Sequence, residues 1–263
     1  MTGNRPNVSS GEEGGVTERD MTPPLRLGFL YPGHSAEDDL PLLAGKLSSP
    51  VEAQVAITSV GEDAHRVDAL LDLGGMERLA EGVAAFRGVT AVVWACTSGS
   101  FVFGWDGARQ QADDLERVAE VPASSTSFAF VNAARALGVT RVAVAATYPA
   151  DVAERFRDFL TAGGLEVAGL TSSGILTAEE VGTVGAEVVA EMARAADRAE
   201  AEVVLLPDTA LHTVACLPGL EQAIGKPVLT ANQVSVWEGL RLAGRMEITA
   251  DAGELFTLAK RAA

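Results

Sequence analysis

The sequence is poor in the residues that most often announce a chemistry. It has two cysteines, Cys96 and Cys216, in 263 residues, too few for a disulfide framework. A reducing cytoplasm is therefore the expected location. Residues 1–24 carry no apolar stretch of the signal-peptide kind and are expected to form a disordered tail. Three histidines, far apart, give no metal-ligand spacing with those cysteines. No apolar run approaches the roughly 18 residues of a membrane helix. Lys and Arg number 20 against 36 Asp and Glu, a net charge of −16. Nucleic acid and anionic membrane both require clustered cations, so neither is expected as a partner. GxxxxGK[ST], GxSxG and a GxGxxG behind the first strand are missing as well. These absences leave a site that works with side chains alone, without metal or cofactor.

What is present is a repeated order. Apolar residues make up 48% of the chain, enough for a normal core. Short apolar runs alternate with stretches of helical period, the pattern of a parallel sheet with crossover helices. Four runs come first: "LRLGFLYP" (25–32), "VEAQVAITSV" (51–60), "TAVVWAC" (90–96) and "VPASST" (121–126). The series then restarts with "TRVAVAATYP" (140–149), "LEVAGLTSSG" (165–174), "AEVVLLPDT" (201–209) and "KPVLTA" (226–231). Matching positions are offset by 115, 114, 112 and 105 residues in turn. The fold expected is α/β, two pseudo-symmetric open parallel-sheet lobes with the active site in the cleft between them. Lobe one is expected over 25–120, with about 232–263 returning to it through two helices, and lobe two over 121–231.

Ligands of open parallel sheets bind beyond the carboxyl ends of the strands. The third run of lobe one ends in Cys96-Thr97-Ser98 and its counterpart ends in Asp208-Thr209-Ala210. Facing lobes place Cys96 and Asp208 on opposite sides of one cleft. Thr97, Ser98, Gly99 and Ser100 suit a tight turn whose N–H groups receive a carboxylate or enolate oxygen. The same field is expected to lower the Cys96 pKa towards a thiolate; the plainer alternative is a buried structural thiol. Asp208 reads either as a proton-handling group or as a cap for the helix expected to begin at once with "TALHTV". Tyr31 and Tyr148 follow the first strand of each lobe, where either hydroxyl can donate to a carboxylate or simply pack. His34 reads as a loop residue, His65 as exposed, His212 as structural, and Cys216 as the buried face of a helix.

The segments "WACTSGSFVFG", "RVAVAATYPADVAERFRDFL" and "IGKPVLTANQVSVWEGLRLAG" resemble the maleate isomerase and arylmalonate decarboxylase branch of the aspartate/glutamate racemase superfamily. The resemblance runs from about Leu25 to Gly244. It implies two pseudo-symmetric lobes, no cofactor, chemistry on small carboxylic acids, and a homodimer. In that branch the racemases and maleate isomerases set two cysteines across the substrate, whereas arylmalonate decarboxylases keep only the second-lobe cysteine and have glycine at the first. The carboxylate-holding positions correspond to Thr97, Ser98 and Tyr148, and Thr209 and Ser35 are expected to bind substrate with them. Here the first-lobe thiol is present as Cys96, and Asp208 stands where the second cysteine is usual. Ser35 replaces a common Asn, and the loop "LTSSGIL" is short.

Three functions follow from this reading. The leading expectation is an isomerase or racemase on a small carboxylic acid, such as cis–trans isomerisation of a maleate-like substrate. Cys96 would be its nucleophile or base and Asp208 its proton-handling partner. The alternative is a cofactor-free decarboxylase with Cys96 as proton donor. A non-catalytic small-acid binding protein is the third.

Overall fold

The computed structural model describes residues 24–245, 247 and 249–260. The tail expected over 1–24 lies, Pro24 apart, outside them. Eight strands form two four-stranded, all-parallel sheets. The first holds β1 (Leu25–Pro32), β2 (Val51–Thr58), β3 (Ala91–Trp94) and β4 (Ala123–Ser125) in the order β2-β1-β3-β4. The second holds β5 (Arg141–Ala146), β6 (Glu166–Ser172), β7 (Val203–Leu206) and β8 (Val228–Thr230) in the order β6-β5-β7-β8. The two orders are the same, and the eight strands are the eight runs read from the sequence. In both sheets the third strand lies inside, paired to the first and the fourth. Its carboxyl end is the place where chain leaving the sheet opens a crevice.

Alternation along β5 shows how the second sheet is buried on both faces. Val142, Val144 and Ala146 enter a core that runs through both lobes, together with Phe29, Trp94 and Phe156. Ala143 and Ala145 enter a smaller core under the helices Ala186–Ala196 and Leu217–Ile224. No residue of β5 after Arg141 faces water.

Two boundaries differ from expectation. Val92–Trp94 pair with Ala123–Ser125, so the first sheet continues beyond residue 120 and the chain crosses to the second lobe only after β4. The stretch expected as a terminal helix is two 3₁₀ segments, Ala250–Ala252 and Glu254–Lys260. Gly253 between them has φ +79°, a left-handed backbone that interrupts helical hydrogen bonding.

The helix following each fourth strand ties the lobes together. Thr126–Leu137 and Ala231–Leu242 pack on one another, with Thr126 Oγ1 2.6 Å from Ser235 Oγ and Asn132 donating to Glu238 at 3.0 Å. Ala231–Leu242 also lies against the helix Asp39–Ala44 and β3 of the first lobe. Asp39, buried, accepts hydrogen bonds from the Thr213 and Val214 N–H groups of the second lobe at 2.7 and 3.1 Å.

Candidate active site

After Trp94 the chain leaves β3 through Ala95, Cys96 and Thr97 into a single helical turn, Ser98–Phe101. Its neighbours hold this turn from several sides. The Gly99 carbonyl accepts from Trp94 Nε1 at 3.2 Å and from Gln111 Nε2 at 2.9 Å. The Thr97 carbonyl accepts from Ser127 Oγ at 2.7 Å. Ser100 Oγ donates to Ser125 Oγ at 2.8 Å. Cys96 Sγ accepts the Gly99 N–H at 3.3 Å and lies 3.8 Å from Ser98 Oγ. Both contacts favour a thiolate. Burial outweighs them: Cys96 is only 3% exposed, and desolvation, with a small addition from the Asp208 charge, pushes its pKa up to about 12. Burial thus works against the expected thiolate and favours the neutral thiol. Alkylation should report this directly, with iodoacetamide at about pH 8 modifying half-buried Cys216 first and Cys96 labelled appreciably only as pH approaches its raised pKa. Peptide mass mapping gives the order.

On the opposite side β7 ends at Leu206, and Pro207-Asp208-Thr209-Ala210 turn back across the cleft. Asp208 Oδ1 accepts the Ala210 N–H at 3.0 Å, and Thr147 donates a very short hydrogen bond to Oδ2. The next helix does not begin until Leu217. Asp208 therefore caps its own turn and is no helix cap. Cys216 stands just before that helix and is half-buried, not on a fully covered face.

The two tyrosines reach across between the lobes. Tyr31 donates to the Thr209 carbonyl at 2.8 Å. Because a carbonyl only accepts, Ser35 Oγ, 3.0 Å away, donates to Tyr31 Oη. Tyr148 donates to the Pro207 carbonyl at 2.9 Å and lies beside the hydroxyls of Thr97 and Ser98. Burial raises both phenols far above their ordinary range, so both remain protonated donors. Thr97 Oγ1 is fully buried without a well-formed hydrogen bond of its own.

A cavity of about 340 Å³ opens between these turns. Of the residues singled out from the sequence it is lined by Tyr31, His34, Ser35, His65, Cys96, Ser98, Asp208 and Thr209; Thr97 and Tyr148 stand behind the lining. Val60, Leu70 and Leu73 form an apolar wall.

One lining residue contradicts its sequence reading. His65 is 7% exposed, not surface. Its backbone N–H donates to Leu176 O at 2.7 Å, Nδ1 lies 2.9 Å from Ile175 O, and the ring packs edge-on against Tyr148 with centroids 5.0 Å apart. Nε2 lies 4.0 Å from Asp208 Oδ2. Next to it, Asp63 accepts the N–H groups of Ala178 and Glu179 at 2.9 and 3.1 Å. The loops after β2 and β6 thus strap the two lobes together beside the cavity.

Two matching parallel sheets thus face a shared cleft, with one cysteine at the end of an inner strand. Residues 64–256 match the family model described as arylmalonate decarboxylase, and the chain belongs to that family. It is 29% identical over 221 residues to the arylmalonate decarboxylase of Bordetella bronchiseptica, covering 82% of each chain. It is 28% identical over 153 residues to the maleate isomerase of Alcaligenes faecalis, covering 57% of this chain and 60% of that one. The same fold is seen in Nocardia farcinica maleate cis–trans isomerase bound to TRIS, at TM-score 0.82 and 20% identity over 90% of this chain and 99% of that one.

Proposed function

We propose that the protein decarboxylates a small malonate-type acid, with the Cys96 thiol as the proton donor to carbon. The observation that carries this reading is the buried Cys96 sharing one cavity with an aspartate instead of a second thiol. A cis–trans isomerase acting through a thiol adduct needs a thiolate at rest, and the pKa of about 12 opposes it. A decarboxylase needs the reverse, a proton still on sulfur when the carbanion forms.

The carboxylate that stays would lie on the Cys96–Ser98 turn, receiving a hydrogen bond from the Ser98 hydroxyl, with Thr97 and Tyr148 behind it. The other carboxylate would face the Val60, Leu70 and Leu73 wall, where loss of hydration favours its departure. As carbon dioxide leaves, the C–C bonding pair moves onto the α-carbon and into the retained carboxylate, giving an enediolate. The hydroxyls of the turn stabilise the charge that develops there. The Cys96 S–H bond then breaks, its proton forms the new C–H bond, and the sulfur recovers a proton from solvent.

Incubation in D2O with phenylmalonate, methylmalonate, aminomalonate and maleate tests this by proton NMR. At least one malonate is expected to lose carbon dioxide and yield a product with a single α-deuteron, in the wild type but not in Cys96→Ala. Maleate is expected to stay unchanged. Fumarate formed from maleate, or malonates all left intact, would refute the decarboxylase reading.

A further inference from the structure

His65 and Asp208 stand in an arrangement that the decarboxylation step does not use. A carbonyl oxygen only accepts, so His65 Nδ1, 2.9 Å from Ile175 O, carries the ring hydrogen. In that tautomer Nε2 is the acceptor. It faces Asp208 Oδ2 at 4.0 Å, beyond hydrogen-bond distance. Asp208 is an acceptor too, already oriented by Thr147 and the Ala210 N–H. Two acceptors, each with a side chain only 5% exposed, therefore look at one another across a gap that opens into the cavity.

The charge around the gap has one sign. Glu62, Asp63 and Glu179 line the cavity with Asp208, and none of its lining residues is lysine or arginine. A malonate dianion entering here meets no cationic side chain of the long, permanently charged kind. A cation that relieves the Asp208 charge and donates into the gap satisfies both conditions, and the substrate itself can bring it.

We infer that His65 Nε2 and Asp208 Oδ2 together receive, from the cavity side, an ammonium group of the substrate, so that the ligand class is an amino-substituted malonate. One N–H would donate to each acceptor while a carboxylate lies on the Cys96–Ser98 turn. This inference rests on the decarboxylation reading for the identity of the rest of the ligand, but its contacts are made by residues outside the proton-delivering turn.

Aminomalonate and methylmalonate are nearly isosteric and differ in the group that would fill the gap. Their affinities for the full-length Cys96→Ala protein, which holds ligand without turnover, are to be compared by calorimetry near neutral pH. Aminomalonate is expected to bind about tenfold tighter or better, as two hydrogen bonds to a charged donor imply. The preference is expected to shrink towards unity when His65→Leu or Asp208→Asn is added, each variant checked for folding by thermal melting. Equal or tighter binding of methylmalonate would overturn the inference and leave His65 and Asp208 as a pair sharing a proton directly. Failure of both ligands to bind at millimolar concentration would overturn it as well. Preferential aminomalonate binding with no carbon dioxide released by the wild type from any malonate sinks the decarboxylation reading and keeps the ammonium subsite. Equal affinities with brisk release from both malonates do the opposite.

Discussion

Replacing Cys96 by alanine is expected to lower the decarboxylation rate by roughly 10²- to 10⁴-fold, the range that a positioned proton donor supplies. The melting temperature should hardly move. The side chain is small, and besides the Gly99 N–H bond to sulfur the turn is held through the Thr97 and Gly99 carbonyls and the Ser100 hydroxyl. The sign of the pH dependence matters as much as the size of the loss. A donor must keep its proton, and burial pushes the Cys96 pKa up to about 12. The rate should therefore stay level from neutral into the alkaline range and fall only as pH nears that value. A nucleophilic thiol would give the opposite profile, rising with pH as thiolate accumulates. A rate that climbs steadily between neutral pH and the ordinary thiol pKa of about 8.5 would remove the donor role. The same shift carries a stability consequence. The folded protein holds this proton where the unfolded chain releases it, so the thiol's contribution is complete below about pH 8.5 and is lost as pH rises towards about 12.

The second large effect is expected at Gly74, which packs against the turn that carries Cys96. It ends the helix Val67–Leu73, and its carbonyl accepts from Gln111 Nε2 at 2.7 Å. The same amide nitrogen reaches the Gly99 carbonyl of the Cys96 turn. A β-carbon on residue 74 would sit 2.0 Å from that Gly99 oxygen, with Phe103 at 2.7 Å and Gln111 Nε2 at 2.9 Å. The backbone at 74 has an ordinary negative φ; the constraint is space, not conformation. Gly74→Ala must displace either the helix end or the turn that bears Cys96. Overpacking of this kind costs about 1–3 kcal/mol or somewhat more, a fall of several degrees in melting temperature for a chain of this size. The turnover number should fall along with it, because Cys96 is carried by the turn that has to move. A Gly74→Ala protein with native melting temperature and native turnover would show that the contact relaxes without cost.

How much of this was legible beforehand differs from element to element. The strands were readable because each is a short apolar run bounded by turn residues, and the near-constant offset carried the pairing order from one sheet to the other. β4 was recognised as the fourth run of the first series, yet the lobe boundary was drawn before it. Nothing local in "PASST" tells which sheet it joins; only its pairing with β3 does. The juxtaposition of Cys96 and Asp208 was readable through their shared place after an inner strand. The ionisation of Cys96 was not. The nearby hydroxyls and N–H group visible in the sequence favour a thiolate, while the burial that overrides them comes from elements distant in the chain. His65 failed for a related reason. It lies in "GEDAHRV", polar on both sides, and its burial is imposed by Ile175, Leu176 and Tyr148, more than 80 residues away in sequence. The closest available hint was positional, a loop after the second strand of lobe one facing the equivalent loop of lobe two.

The helix Ala231–Leu242 has a consequence for the order in which the chain acquires its shape. Ten of its twelve residues are buried, and several of their partners belong to the earliest segments synthesised. Leu27 lies so close to Gly239 that a β-carbon there would sit 3.2 Å from it. Asn232 reaches the Ala36 carbonyl, and Ser235 meets Thr126. A nascent chain halted after β4 has all four strands of its first sheet but lacks the helix that covers one side of it. Such a chain keeps apolar surface open until more than a hundred further residues have been made. Contacts of that separation are slow to form, and surface left open meanwhile is what chaperones bind and aggregates grow from. The two sheets look like independent halves of a duplicated chain, but the first cannot mature until the second has been translated.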